Sequence, residues 1–512
     1  MKNGVYLITY ANSLGKNLKE LELVLETYFK NIICGVHILP FYPSSGDRGF
    51  SPLTHLKVDP NFGDWEDIKR LSQKYDLIAD IMVNHISAKS VFFKDYLEKG
   101  EKSKYADYFI TNNKFSRRIF PIRKKTPSLL NFIEKTVNGF RDADKIFHND
   151  GVNKTSLRNI YRPRTGSPFV PFLLKNGSIE YIWCTFTEEQ IDLDTYNENV
   201  KEILKNYIFN LAKNGIKLIR LDAVGYAVKK RGTNCFMLPE TYDFINWLGA
   251  IAHKNNVSIL PEVHNHYSYQ IELDELKEVD YVYDFQMSVL VLNAIYNKNG
   301  AVIKRWLKVR PKNIINVLDT HDGIPIVDVE DLLSKQEIIK TSKKILSNGG
   351  NEAKRASGDN SENVDTYQIN CTYYSALGED DDAYIVARAI QFFVPGLPQV
   401  YYGGFLAGKN DAKKVKKTNI GRDINRHNYT IEEINSEMDR NVVRRLMKLI
   451  KFRNNFPIFD GNFSVVQTDN KKFIFRWRKK SLFLETIIDL NKKTVKVNYL
   501  DGKTKKLKKI KF

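Results

Sequence analysis

Eight short apolar segments, most of them followed by a stretch of helical periodicity, constrain this chain more than any other feature. They occupy residues 5–11, 32–40, 77–85, 216–224, 258–264, 280–285, 313–322 and 398–403. Between many of them lie amphipathic runs such as 18–29 (LKELELVLETYF), 65–74 and 200–214. Apolar strands that alternate with helices belong to a parallel sheet covered on both faces. Eight such units predict an α/β fold, the closed (β/α)8 TIM barrel.

Two intervals, 86–199 and 323–381, are too long for ordinary connections, and loops of that length are lids or inserted subdomains. From 457 onward the pattern becomes hydrophobic–polar alternation broken by Asp-Gly and Asp-Asn pairs, the signal of antiparallel hairpins. The expected organisation is a barrel formed by 1–85, 199–322 and 382–456. Inserted subdomains follow the third strand (86–198) and the seventh (323–381), and a small C-terminal antiparallel β domain covers 457–512.

The formal charge is +19, and residues 491–512 alone hold nine lysines against one aspartate. Apolar residues alternate with those lysines, which predicts strands with one wet face rather than a nucleic-acid-binding tail. Cys34, Cys184, Cys235 and Cys371 show no CxxC spacing, so reduced, buried thiols are expected. Neither a secretory leader nor an apolar run of about 18 residues is visible, and a cytoplasmic protein without membrane contact is expected.

The polar residues fall where a barrel carries its chemistry, at the C-terminal ends of the strands. Those ends read Val83-Asn84-His85, Arg220-Leu221-Asp222, Pro261-Glu262-Val263-His264 and Asp319-Thr320-His321-Asp322. One aspartate after a strand is commonly a turn or a cap; four such ends together are not explained by caps. Three carboxylates at one mouth suit glycosidic bond chemistry, in which one attacks, one protonates the leaving oxygen and a third supports the cationic transition state. His85 and His321 can bond sugar hydroxyls. Arg220 lies on the same side of its strand as Asp222 and can hold that carboxylate ionised.

These strand-end motifs resemble the signature regions of the α-amylase clan of retaining glucosidases and transglucosylases (glycoside hydrolase family 13). Nearly the whole chain is similar to its sucrose phosphorylase branch, which includes sucrose 6'-phosphate phosphorylases. The stretches that carry the resemblance include GVHILPFYPSSGDRGFSPL, IYRPR, EEQIDLD, IRLDAVGYAVKK, VLDTHDGI, YQINCTYYSALG, LAGKND and GRDINRH. The resemblance implies Asp222 as nucleophile, Glu262 as general acid and base, and Asp322 as transition-state stabiliser. It further implies a donor-glucose subsite of Asp47, Phe50, His85, Phe186, Arg220, His321 and Arg422. The acceptor side would be formed by Tyr161, Arg164, Tyr226, His264, Asp365, Tyr367 and Gln368. Arg164 is the candidate for binding phosphate, whose charge the carboxylates repel. No cofactor and no metal are expected, because a glucosyl ester divides the reaction into two displacements. The implied partners are sucrose, or a phosphorylated or related α-glucoside, and inorganic phosphate; a homodimer stays an open option.

Three features depart from the branch: an extra stretch at 131–155, Thr366 where an aliphatic residue is expected, and a basic run at 114–125 (KFSRRIFPIRKK). They bear on acceptor identity, because relatives act on sucrose 6'-phosphate, glucosylglycerol and glucosylglycerate. Tyr367 favours plain sucrose, since a histidine is expected there in the sucrose 6'-phosphate enzymes. The basic run pulls towards an anionic acceptor. Readings in other classes are a hydrolase or isomerase on the same barrel, a non-catalytic amylase-like binder, and a basic nucleic-acid binder. A non-catalytic binder would be expected to lack one of the carboxylates, and all three are present.

Overall fold

The computed structural model describes residues 1–117, 160–163, 167–356, 363–500 and 506–512, with backbone alone at 354–356 and 363–366. Eight parallel strands form its centre: β1 (Tyr6–Thr9), β2 (Gly35–Ile38), β3 (Asp76–Met82), β4 (Ile216–Asp222), β5 (Ser258–Pro261), β6 (Val282–Asp284), β7 (Ile314–Val317) and β8 (Leu397–Tyr401). Hydrogen-bonded neighbours run β6-β7-β8-β1-β2-β3-β4-β5. Across the remaining seam, Tyr281 N–H donates to Ile259 O at 3.3 Å. Asp280 Oδ2 accepts the Ile259 N–H at 2.8 Å, so a side chain completes what a longer ladder would otherwise supply. The eight expected strands all form, and in expected order.

Helices cover the strands from outside: α1 (Leu18–Val24), α2 (Trp65–Lys74), α3 (Glu198–Lys213), α4 (Pro239–Lys254), α5 (Ser268–Asp274), α6 (Gln286–Asn297), α7 (Asp381–Phe393) and α8 (Asn441–Asn455). Their starts follow local chemistry. Asp64 caps α2 and forms a capping box with Asp67, and Asp380 accepts from Ala383 N–H at the start of α7; each such cap is worth about 1 kcal/mol. Strand β3 is buried along its whole length, as a sheet wrapped on both sides requires.

The long interval after β3 begins with a short strand, His85–Ser87, paired antiparallel with Gln190–Asp192. It also contains the hairpin Phe169–Leu173 with Ile179–Trp183. The interval after β7 holds a helix (Lys335–Ser347) and a hairpin, Asn351–Ala356 with Asn363–Asn370. At the C-terminus, Asn462–Val465, Lys472–Lys479, Leu482–Asp489, Thr494–Leu500 and Leu507–Lys511 form one antiparallel sheet. Trp477 fastens it to the barrel, its indole N–H donating to Phe393 O of α7 at 2.8 Å. Val495 and Val497 point inward while Lys496 is exposed, the alternation expected of the lysine-rich tail, but in the last strand, Leu507–Lys511, every residue except the half-buried Ile510 is exposed, Leu507 included. The four cysteines are unbridged, three of them buried and Cys34 partly so. No described helix is long and apolar enough to cross a membrane.

Candidate active site

The polar strand ends converge on one cavity of about 380 Å3 at the C-terminal mouth of the barrel. Strand β4 delivers Asp222 to its floor. The next residue, Ala223, has φ +53, a left-handed conformation that costs a non-glycine residue roughly 1–3 kcal/mol. That turn aims the Ala223 N–H at Glu262 Oε2, 2.9 Å away. Glu262 itself lies one residue past β5, its own N–H donating to Leu221 O at 3.1 Å. Nucleophile candidate and acid candidate are thus locked to each other through backbone.

Beneath both lies Arg220, almost wholly buried. Its Nη1 reaches Asp80 Oδ1 at 2.5 Å and Asp222 Oδ1 at 2.9 Å, and its Nη2 lies 3.0 Å from Glu262 Oε1. Asp80, on β3, also meets His37 Nε2 of β2 at 2.8 Å. Burial opposes ionisation of Asp80, but His37 and Arg220 outweigh it and hold the carboxyl below its usual range. Burial and the charge of Glu262 push the Asp222 carboxyl well above the usual range, against the pull of Arg220. Burial and Glu262 thus resist the ionisation of Asp222 that Arg220 was expected to secure, and its charge depends on the balance among these three.

Asp322 follows β7. Burial disfavours its charge, yet the cationic groups around it, the guanidiniums of Arg422 and Arg426 among them, hold it well below the usual carboxylate range; His321 Nε2 stands 3.5 Å away. Burial also keeps His321 neutral. Phe50 stacks on the His321 ring, centroids 4.6 Å apart and planes 5° from parallel. Arg422 Nη1 is 3.4 Å from Asp322 and 3.6 Å from Asp47. Asp47, Arg48 and Gly49 have φ values of +45, +49 and +108, and a Cβ at Gly49 would stand 2.5 Å from Pro40 O. This strained turn carries Asp47 to the rim. The Arg48 guanidinium ties it down, donating to Arg426 O at 3.1 Å and Ser13 Oγ at 3.2 Å while lying over Tyr10.

His85 reaches the cavity from its short strand, and burial holds the ring below its ordinary pKa. Its Nε2 lies 2.9 Å from Phe50 O and 3.2 Å from Gln190 Nε2. Phe186 packs edge-on against both His85 and Tyr226. His264 lies 3.6 Å from Glu262, and Tyr367 and Gln368 enter from the 363–370 strand, Gln368 Oε1 accepting Gly323 N–H at 3.2 Å.

Thirteen of the expected site residues line this cavity: Asp47, Phe50, His85, Phe186, Asp222, Tyr226, Glu262, His264, His321, Asp322, Tyr367, Gln368 and Arg422. Arg220 underlies it. Tyr161 stands behind, its ring nearly parallel to that of Tyr226 at 6.2 Å. Asp365 and Thr366 lie on the strand that bears Tyr367, their side chains outside the described set. Arg164, the 131–155 stretch and 118–125 of the basic run lie outside the described residues. Lys114, at the start of that run, pairs with Asp107 at 2.9 Å. Among the described residues, Glu262, His264 and Asp322 bring ligand-type atoms within 4.8 Å of one another. Arg220 on Glu262 and Arg422 on Asp322 already supply cationic charge to two of them.

Residues 5–449 match the family model described as "Alpha amylase, catalytic domain". The chain belongs to the alpha-amylase family. Within it the chain is a phosphorylase of the sucrose phosphorylase group. It is 44% identical to a sucrose phosphorylase from Streptococcus mutans, covering 92% of each chain. It is 40% identical to a glucosylglycerol phosphorylase from Marinobacter adhaerens, covering 98% of each. The crystal structure of a sucrose 6F-phosphate phosphorylase from Thermoanaerobacter thermosaccharolyticum superposes with a TM-score of 0.89 at 39% identity, covering 100% of this chain and 98% of that one.

This family member also places residues in the site that the motifs did not single out. Gln190, Phe236, Asn351 and Glu352 line the cavity, and Asp80 and Arg426 support it from below. Gln190 and Arg426 fall inside EEQIDLD and GRDINRH, so proximity to a motif was the available signal. Glu352 sits on a hairpin strand with no motif of its own.

Proposed function

We propose that this chain catalyses the reversible phosphorolysis of sucrose to α-glucose 1-phosphate and fructose. The Asp222 carboxylate attacks the anomeric carbon while Glu262 protonates the departing fructose oxygen, so that the glycosidic bond breaks and a β-glucosyl ester forms. A phosphate oxygen then attacks the same carbon from the face fructose left. The ester bond breaks, Asp222 regains its electron pair, and Glu262 accepts the proton that phosphate releases. Two inversions give net retention. Asp322 and Phe50 face the cationic transition state, and Asp47 and Arg422 bracket the distal hydroxyls of glucose.

The observation that carries the choice of acceptor is Tyr367 in the cavity wall. Its phenol, kept neutral by burial, offers no charge to an acceptor that bears its own phosphate. The identity to the sucrose phosphorylase from Streptococcus mutans supports the same choice. A neutral polyol acceptor is the second reading, supported by the full-length similarity to a glucosylglycerol phosphorylase. The test is phosphate-dependent release of glucose 1-phosphate from sucrose, sucrose 6'-phosphate, glucosylglycerol and glucosylglycerate, measured side by side. The proposal requires the highest kcat/KM with sucrose; a higher value with any other donor would replace it.

A further inference from the structure

Asp328 is a wholly buried carboxylate that the catalytic scheme leaves unused. It lies on the 3-10 turn Ile326–Val329, which follows β7 after the Asp322 loop. Its Oδ2 is 2.9 Å from His264 Nδ1. Among the described residues its Oδ1 has no hydrogen-bond partner, and His264 is its one ion-pair partner. A buried carboxylate with an unsatisfied oxygen is costly, and it caps no described helix. What it does touch is the ring that stands beside Glu262. Phe285 clamps that ring from one face, centroids 3.8 Å apart, so a hydrogen bond at Nδ1 fixes which way Nε2 points. Nε2 faces Glu262 Oε1 at 3.6 Å, and His264 lines the cavity.

We infer that Asp328 is a positioning residue for the phosphate step: it orients His264 and lets the imidazole carry a proton on both nitrogens next to Glu262. The inference rests on the phosphorylase reading above. A neutral imidazole bonded through Nδ1–H to Asp328 would offer only a lone pair at Nε2, which repels an anion. A doubly protonated ring offers an N–H and a positive charge where phosphate must pass Glu262 and Asp322. Burial works against that proton. The charges that face His264 favour it: Asp328 from the turn, Glu262 from the β5 end and Asp322 from the β7 end. Tyr367, edge-on at 6.4 Å, is itself held neutral by burial. Burial raises Asp328 to about 6, and its proton affinity responds to His264, Glu262 and Glu330. Asp328 and His264, in hydrogen-bond contact, therefore bind protons as a coupled pair.

The test uses Asp328→Asn, which keeps the shape and a hydrogen bond but removes the charge, with α-glucosyl fluoride as donor so that the identity of the natural acceptor does not enter. The expected result is a rise of about tenfold in the KM for phosphate, since a charge-assisted contact becomes a neutral one. Hydrolysis of the glucosyl ester by water should fall far less, shifting product from glucose 1-phosphate towards glucose. The alkaline limb of phosphorolysis should move to lower pH by about one unit, because the imidazole loses its proton sooner. On a His264→Gln background the same substitution should add nothing to the phosphate KM. An Asp328→Asn enzyme with unchanged phosphate KM and unchanged pH limb would overturn the inference. So would equal losses of phosphorolysis and hydrolysis, the pattern of a merely structural residue. A wild-type enzyme that makes no glucose 1-phosphate from this donor would overturn the phosphorylase reading, and this inference with it.

Discussion

Replacing Arg220 should separate its two tasks, holding the fold and setting charge at the floor of the site. The guanidinium meets three carboxylates, at 2.5 Å for Asp80, 2.9 Å for Asp222 and 3.0 Å for Glu262. Arg220→Met keeps most of the stem volume and removes the charge, leaving His37 to serve Asp80 alone. Breaking a buried pair by removing one partner costs about 3–5 kcal/mol, and that loss should appear in denaturant unfolding at pH 7. Protonation relieves it. Arg220 favours the ionised carboxyls in the folded state, so the stability it confers is complete where they are ionised in both proteins and fades as pH falls through the higher folded-state pKa values they take without it. The stability gap between wild type and Arg220→Met should therefore narrow from pH 7 to pH 5. Arg220→Lys retains a charge but lacks the planar fork, and one ammonium cannot span Asp80, Asp222 and Glu262 together. Loss of one charge-assisted contact, roughly 1.5–3 kcal/mol, predicts a ten- to hundredfold fall in kcat. Steady-state kinetics with α-glucosyl fluoride would measure it. An Arg220→Lys enzyme with more than half the wild-type kcat, or a stability gap that widens on acidification, would refute the reasoning.

Other perturbations follow from the same geometry. Asp222→Asn should abolish turnover of sucrose and of α-glucosyl fluoride alike. Glu262→Gln should abolish sucrose turnover but spare the first step with fluoride, a leaving group that needs no proton; rapid-quench kinetics distinguish the two. Arg164→Ala should lower phosphate use about ten- to a hundredfold with little effect on attack by water, read as the glucose 1-phosphate to glucose ratio over several phosphate concentrations. On the barrel wall, burial opposes the charge of His253, but bonds of 2.8 Å to both Asp280 and Glu278 raise its pKa. A raised folded pKa gives stability that is complete below the unfolded value near 6.5 and is lost as pH rises through the folded value. The destabilisation by His253→Gln should thus be larger at pH 5.5 than at pH 9; a partly exposed pair of this kind makes the difference modest.

The barrel was legible because its strands are continuous apolar runs, and because each run ends on residues that a strand end does not need. Asp222, Glu262 and Asp322 could be singled out from that alone. Their relation could not. Sequence spacing puts Arg220 on the side of Asp222, but its bonds to Glu262 and Asp80 depend on how β3, β4 and β5 neighbour one another. The segment 77–85 reads as one strand, yet β3 stops at Met82 and His85 starts a separate pairing with Gln190–Asp192, more than a hundred residues away. The turn at Asp47, Arg48 and Gly49 carries a single glycine for three left-handed residues. Its strain is offset by contacts of Arg48 with segments near Ser13 and Arg426, which no local signal announces. In the C-terminal sheet, Lys480 takes φ +52 in the two-residue connection after Lys479. A Lys-Ser pair is not a hairpin signal, and pairing of the flanking strands selects the turn.

The central claim is a covalent glucosyl ester on Asp222, and trapping it is the most direct measurement. Glu262→Gln enzyme incubated with α-glucosyl fluoride, quenched in acid and digested, should yield the peptide containing Asp222 with one added glucosyl unit. Adding phosphate before the quench should discharge the ester to α-glucose 1-phosphate, with the α configuration visible by NMR. An unmodified Asp222 peptide under conditions where fluoride is released, a glucosyl unit on another residue, or β-glucose 1-phosphate as first product would contradict the account.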